Sequence, residues 1–375
     1  MKILLVEPYF TGSHKTWAQG YQKYSAHDIE ILSLSGHYWK WRMHGGAVTL
    51  AEKFLKRNLK PDLILVSDML DLTTFQSLTR EKTHHIPFAI YFHENQLCYP
   101  WSPTDRDVLH KRDNHYSFIN YASALAADNV FFNSQYHLGS FFKELPKFLK
   151  GFPDNNELKT VEQIKAKSAV LNLGMDLKKF DNYRPEAAFF NSAEYKKSRA
   201  TLLWNHRWEY DKNPAGFFDA LYELDKRGVD FRLVILGENF EQQPEEFEKA
   251  RDYFGEKVLH YGYCESFETY AQWLWKADIL PVTSNHDFFG GSVVEAMYCD
   301  VKPLLPKRLA YPEHIPQQFH ETFFYDDDPD LVNRLQRLIF NVGIIRKQKT
   351  GHFVERYHWS KMAEVYDRAM EKVTR

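Results

Sequence analysis

The chain has 375 residues, 44% of them hydrophobic and 26% charged, with a formal net charge of −2. That length predicts about two domains, and the apolar content suffices for two buried cores, which excludes a disordered polypeptide. The near-neutral balance excludes a generic polybasic nucleic-acid binder but averages two unlike halves. Residues 1–200 carry 26 Lys and Arg against 21 Asp and Glu, and residues 201–375 carry 22 against 29. A mildly basic first half suits an anionic partner.

The first residues, MKILLVEPYF, are too short an apolar stretch for a signal peptide, and no run approaches the roughly 20 apolar residues of a membrane span. The expectation is a cytoplasmic protein without a membrane partner. Cys98, Cys264 and Cys299 are odd in number, far apart and in no metal-ligand spacing, so they read as buried thiols rather than as a disulfide framework or a metal site.

In chain order, KILLVEP, DIEILSL, DLILVSD, PFAIYFH, NVFFNS and SAVLNLG read as strands of a first half. TLLWNHR, DFRLVILG, KVLHYGY and ADILPVTS read as strands of a second. Amphipathic stretches at His14 to Tyr24, Tyr116 to Ala127, Ala215 to Arg227, Phe267 to Lys276 and Tyr357 to Thr374 read as helices. Alternating strands and helices predict two parallel-sheet α/β domains. The polar, aperiodic interval from Met175 to Arg199 marks the junction. The expected division is a first domain over 1–180, a second over 199–355, and a terminal helix over 356–375 that packs back on the first. There is no internal repeat, no Walker lysine loop and no G-x-G-x-x-G.

In such sheets ligands bind beyond the carboxyl ends of strands, which directs attention to four loops. After the first strand, YFTGSHKTW offers Gly12 and Ser13 at a helix start, where backbone N–H groups attract phosphate; a plain tight turn is the competing reading. After PFAIYF come His93, Glu94 and Asn95, three adjacent hydrogen-bonding groups. After TLLWNHR, Asn213 and Pro214 fit an N-cap and first helical position, leaving Arg207 and Lys212 on a short loop able to meet one diphosphate. After ADILPVTS, the stretch SNHDFFGGSVVEAM sets Asp287 and Glu295 around Gly290 and Gly291 at a helix amino terminus. Acids beside a phosphate site repel the ligand unless they accept from its hydroxyl groups, which a sugar and a ribose supply. The acid run Asp326 to Asp328 reads as a helix start rather than a metal site. HYWKWRMHGG mixes Trp39 and Trp41 with Lys40 and Arg42, a composition suited to stacking a base and meeting phosphates; the tryptophans also fit an ordinary core.

Arg207 and Lys212, followed by Asp287-x7-Glu295 around glycines, resemble the donor site of the retaining GT-B glycosyltransferases, whose acid-x7-acid motif usually opens with Glu where this chain has Asp. EPYFTGSHKTW, HYWKWRMHGGA, FHENQLCYP and the Asn133–Ser134 pair of VFFNS resemble the family that mannosylates queuosine in tRNA. The resemblance implies a GT-B architecture, two Rossmann-like domains facing a cleft, and transfer of mannose from GDP-mannose to the cyclopentenediol of queuosine with retention. It further implies catalytic roles for His93, Arg207, Lys212 and Asp287. Gly12, Ser13, Gly262, Tyr263, Phe289, Gly290, Gly291 and Glu295 would hold the donor; Trp39, Lys40, Trp41, Arg42, Glu94 and Asn95 would face the acceptor. No metal, cofactor or obligate protein partner is implied, and Lys212→Ala is expected to cost ~10²-fold in turnover with the fold intact. Two alternatives are a glycosyltransferase with a lipid or polysaccharide acceptor and a non-catalytic nucleotide-sugar or RNA-binding module.

Overall fold

The computed structural model describes residues 1–100, 114–238 and 244–375. The chain divides into two compact units, one formed by Met1–Asp176 with Tyr357–Arg375 and the other by Leu177–Arg356. Among the described residues, each unit is built on one six-stranded sheet in which every pairing is parallel.

The first sheet comprises β1 (Lys2–Phe10), β2 (Asp28–Ser35), β3 (Leu63–Ser67), β4 (Phe88–Phe92), β5 (Asn129–Phe132) and β6 (Ser168–Val170), in the order β2-β1-β3-β4-β5-β6. β3 and β4 are buried along their whole length, which is why they read as continuous apolar runs rather than as alternating ones. Side chains still alternate between two cores. Leu4, Val6, Ile64, Val66, Ile90 and Phe92 pack on one face with Leu50, Phe54, Phe75 and Phe141. Ile3, Leu5, Leu63, Leu65, Ala89 and Tyr91 pack on the other with Trp17, Tyr21, Trp359 and Tyr366.

The last helix, Trp359–Val373, therefore supplies part of the first unit's core, although it follows the second unit in sequence. Trp17 Nε1 donates to Tyr366 Oη at 3.1 Å and Tyr21 Oη to Asp367 Oδ1 at 3.0 Å. A Cβ at Gly20 or Gly174 would lie 2.0 or 2.5 Å from the Trp359 ring, so both positions must be glycine for that indole to seat.

The second sheet comprises β7 (Ala200–Asn205), β8 (Phe231–Leu236), β9 (Val258–Gly262), β10 (Ile279–Pro281), β11 (Lys302–Pro306) and β12 (Phe324–Tyr325), in the order β12-β11-β10-β7-β8-β9. The last two strands, and the brevity of β10, depart from the sequence expectation. β11 reads KPLLP and carries two prolines, which lack the N–H that a central strand donates. Its Pro303 nonetheless pairs with Leu280, and Pro306 with Tyr325. The aperiodic interval after Asp176 is helical in short pieces, Leu177–Tyr183, Ala187–Asn191 and Ala193–Lys197. No helix among the described residues is long and apolar enough to cross a membrane.

Candidate active site

In each sheet the chain runs outward in both directions from one strand, leaving a crevice where ligands of open parallel sheets bind. That point lies between β7 and β10 in the second unit and between β1 and β3 in the first. All four loops singled out in the sequence leave strands at or beside these points.

Beyond β7 and β10, Lys212 is buried at the end of the short turn Tyr210–Lys212. Its Nζ donates to the His286 carbonyl at 2.6 Å and lies 3.0 Å from Asp211 Oδ2 and 3.3 Å from Asp287 Oδ1. Burial opposes its charge, but Asp287 and Asp211 outweigh burial and raise its pKa. For Asp287, too, burial opposes ionisation. Lys212, His206 and the Tyr311 hydroxyl, which donates to Oδ2 at 2.6 Å, prevail and hold the carboxyl below its ordinary range. Both partners are thus charged at neutral pH. Arg207 is half exposed at the rim, 3.2 Å from Glu209.

The glycines of this loop have a defined geometry. Gly290 is the N-cap of the helix Gly291–Tyr298 at φ 82°, a left-handed conformation that disfavours any side chain. A Cβ there would also meet Tyr311 Cε1 at 2.9 Å. Among the described residues no side chain caps this helix start, which leaves its first N–H groups to an anion. Glu295, on the second turn, accepts from Tyr270 Oη at 2.7 Å, and burial raises its pKa despite Lys179 and that bond. Phe289 is buried, and its carbonyl accepts from His314 Nε2 at 2.6 Å, which fixes the proton on that nitrogen. Gly262 ends β9 at φ 112°, followed by an exposed Tyr263.

Two residues missed in the sequence complete this cluster. Burial lowers the His206 pKa to about 4 despite Asp287, and its Nε2 is buried with no hydrogen-bond partner among the described residues. Arg308 holds the loop by donating to the carbonyls of Ser284 and Thr283 and to Asn285 Oδ1 at 3.0–3.1 Å. The Asn213 cap is present, its Oδ1 accepting from Gly216 N at 3.2 Å. Asp327 caps the helix Asp328–Phe340, so the acid run is a helix start.

Beyond β1, β3 and β4, the first unit gathers His93 with three residues that sequence reasoning did not select: Glu7, His14 and Asp68. His93 N–H donates to Asp68 Oδ1 at 2.8 Å, its carbonyl accepts from Asn133 Nδ2 at 2.8 Å, and its ring lies 4.2 Å from that of His14. Glu7 Oε2 accepts from His14 Nδ1 at 3.0 Å. The ligand atoms of Glu7, His14 and His93 lie within 4.8 Å of one another, so these are the side chains among the described residues that come closest to a cation cluster. The Glu7–His14 pair already satisfies two of them. Gly12, at φ 49°, and Ser13 are exposed at the start of the helix Gly12–Tyr24.

The acceptor-side residues separate. Asn95 is wholly buried; its Oδ1 accepts from Cys98 N at 3.0 Å, while its Nδ2 has no hydrogen-bond partner among the described residues. Glu94 is partly buried and accepts from Gln96 Nε2 at 3.1 Å. Trp39 to Arg42 begin the helix Trp39–Leu55. Trp39 packs on Tyr116, Lys40 lies over the Trp39 ring, and Arg42 is tied to Ser35. Trp41 is 62% exposed. Of the cysteines, Cys264 and Cys299 are buried and Cys98 only partly so; all three are free thiols.

Solved structures share this fold. Anabaena HepE in complex with UDP and glucose superposes with a TM-score of 0.66 at 14% identity, covering 99% of this chain and 100% of that one. Sucrose-phosphate synthase from Thermosynechococcus elongatus gives 0.70 at 14% identity, covering 100% and 99%. Residues 186–372 match the family model of glycosyl transferases group 1, and the architecture is that of the GT-B glycosyltransferases. Residues 2–175 match the N-terminal model of tRNA-queuosine alpha-mannosyltransferase. A Drosophila melanogaster protein of that name is 34% identical over 363 residues, 96% of this chain and 93% of its own length. The chain belongs to the tRNA-queuosine alpha-mannosyltransferase family.

Proposed function

We propose that the chain transfers mannose from GDP-mannose to the cyclopentenediol of queuosine in tRNA, with retention at the anomeric carbon. The observation that carries this reading is the 34% identity to the Drosophila protein, which extends over 96% of the chain.

The chemistry of the second cluster supports a nucleotide-sugar donor. Cleaving the glycosyl bond builds negative charge on the diphosphate and positive character on the sugar, and fixed dipoles and cations help at the former. The uncapped helix start at Gly290 and Gly291 receives the diphosphate, with Arg207 and Lys212 as counter-charge. Lys212 is shared with two carboxylates. It therefore acts by exchanging one of them for phosphate rather than as a spare cation. Ionised Asp287 accepts from the hydroxyls of the sugar, and Glu295 from those of the ribose. Gly262, Tyr263 and Phe289 line the base.

In the first unit, Gly12 and Ser13 offer backbone and hydroxyl donors, and His93 offers Nε2 to a hydroxyl of the reacting sugar. Trp41, Trp39, Lys40, Arg42 and Glu94 serve the tRNA, with exposed Trp41 as the stacking group. With cations supplied by side chains, transfer is expected to continue in the presence of a chelator. The enzyme works in the cytoplasm and needs no protein partner.

The test is to incubate purified protein with a panel of labelled nucleotide sugars and tRNA with or without queuosine. Label entering only queuosine-containing tRNA, and only from GDP-mannose, is expected. Label that ignores queuosine, or never reaches RNA, overturns the acceptor; label from another nucleotide sugar overturns the donor.

A further inference from the structure

The strand ends of the first sheet hold more ionisable groups than this reaction uses. Glu7 is wholly buried; Oε1 accepts the Tyr9 N–H at 2.8 Å and Oε2 the His14 Nδ1 proton at 3.0 Å. His14 is itself buried, with the Tyr9 ring edge-on at 6.0 Å and the His93 ring 4.2 Å away at a 38° tilt. His93 is clamped by Trp17 and Tyr91, edge-on at 4.6 and 4.9 Å, and by the Asp68 and Asn133 bonds to its backbone. Its Nε2 is buried with no hydrogen-bond partner among the described residues. A buried polar atom left in this way is costly until something bonds to it.

We propose that Glu7 and His14 are positioning residues: their buried ion pair keeps His93 a neutral imidazole, with Nε2 reserved for a substrate hydroxyl. This deepens, and rests on, the reading of His93 as a sugar-contacting group.

The charged neighbours act in one direction. Around His14 stand Glu7 from β1, Asp68 from the segment after β3 and Glu94 from that after β4. Burial disfavours the imidazolium, but these acids, Glu7 foremost, outweigh it and raise the His14 pKa to about 9. Facing His93 are His14 and, from the helix Gln135–Lys150, His137. Burial first and then both histidines hold its pKa well below the ordinary value. Two imidazolium rings at this separation repel, so the proton that Glu7 fixes on His14 adds to burial in keeping His93 neutral. A neutral imidazole can accept from a hydroxyl or donate to it, whereas an imidazolium only donates. Beside a sugar gaining oxocarbenium character, a second positive charge would also be repelled.

Histidine-labelled full-length protein, titrated by NMR without substrate, tests the pairing independently of mannosyl transfer. In the wild type, His14 is expected to be charged and His93 neutral at pH 7; the reverse assignment overturns the proposal without recourse to any variant. In His14→Gln, the His93 protonation constant should rise about tenfold or more, and the acid limb of the kcat/KM profile should move to higher pH with it. Glu7→Gln should shift both in the same direction by a smaller amount. An unchanged His93 titration in His14→Gln, or a stoichiometric transition metal in the purified wild type, would overturn the pairing. A shifted titration with an unmoved activity profile would overturn the role in transfer.

Discussion

At the switch point of the first sheet, a buried imidazolium is held by one carboxylate; at that of the second, a buried ammonium is held by two. The topological position is the same, but the cations differ in kind. His14 loses its proton near pH 9, whereas Lys212 is held charged above the ordinary lysine value. A permanent cation suits a leaving group whose charge must be met in every turnover. A titratable one, paired within its own cluster, suits setting the protonation of a neighbour. The two clusters thus teach that one architecture can carry a charge-neutralising site and a proton-setting site, distinguished by the residue type placed after the strands.

The largest expected effect is at Lys212. Lys212→Ala should lower turnover by ~10²-fold. The burial of Lys212 amends the expectation that folding is untouched, because removing it leaves Asp211 and Asp287 without their cation. Breaking such a buried pair costs about 3–5 kcal/mol, so denaturation midpoints should fall together with activity. Lys212→Arg keeps the charge and should recover most of the stability; equal losses in the two variants would remove charge as the reason. Trp41→Ala comes next. The ring is largely exposed, so stability should stay constant while tRNA binding weakens by about 1–3 kcal/mol in a filter-binding titration. A Gly290→Ala chain should lose about 1–2 kcal/mol in chemical denaturation from the left-handed backbone alone. Its nucleotide affinity should fall as well, since the new methyl group displaces Tyr311 from its place beside Asp287.

The pH responses of the two clusters should differ between pH 6 and 9. His14 is raised from 6.5 to about 9, so its pair with Glu7 stabilises fully below pH 6.5, and that contribution is lost as pH rises towards 9. The stability advantage of the wild type over Glu7→Gln should therefore shrink across that window. Asp287 is depressed below 3.8, so its contribution is present above that value and lost only as acid protonates it. The advantage over Asp287→Asn should be flat from pH 6 to 9. Thermal melts of the three proteins across that range would expose a common pH response if the contrast is wrong.

Much of this was legible in the sequence, for physical reasons that also explain the gaps. Parallel strands buried on both faces announce themselves as apolar runs, and a glycine pair ahead of SVVEAM marks a helix start with no other good explanation. β11 was hidden because Pro303 and Pro306 argue against a central strand, and β12 because two residues carry no period. Glu7 is one polar residue in the apolar stretch LLVEPYF. Nothing in its spacing ties it to His14 seven positions on, and only the close of β1 against the next helix brings them to 3.0 Å. His206 stood unnoticed beside Arg207, since the sequence does not show which of two adjacent polar side chains turns inward. For the same reason the sequence does not show that the Asn95 amide is buried, with Oδ1 bonded to Cys98 N.

The division of labour between the two clusters is checked by a pair of binding titrations, GDP and queuosine-containing tRNA, on the wild type, on Gly290→Ala and on Trp41→Ala, each at low and high salt. GDP affinity should fall only in Gly290→Ala, tRNA affinity only in Trp41→Ala, and the tRNA titrations should depend the more steeply on salt. GDP affinity lost in Trp41→Ala and kept in Gly290→Ala, or tRNA binding indifferent to salt and to Trp41, would contradict it.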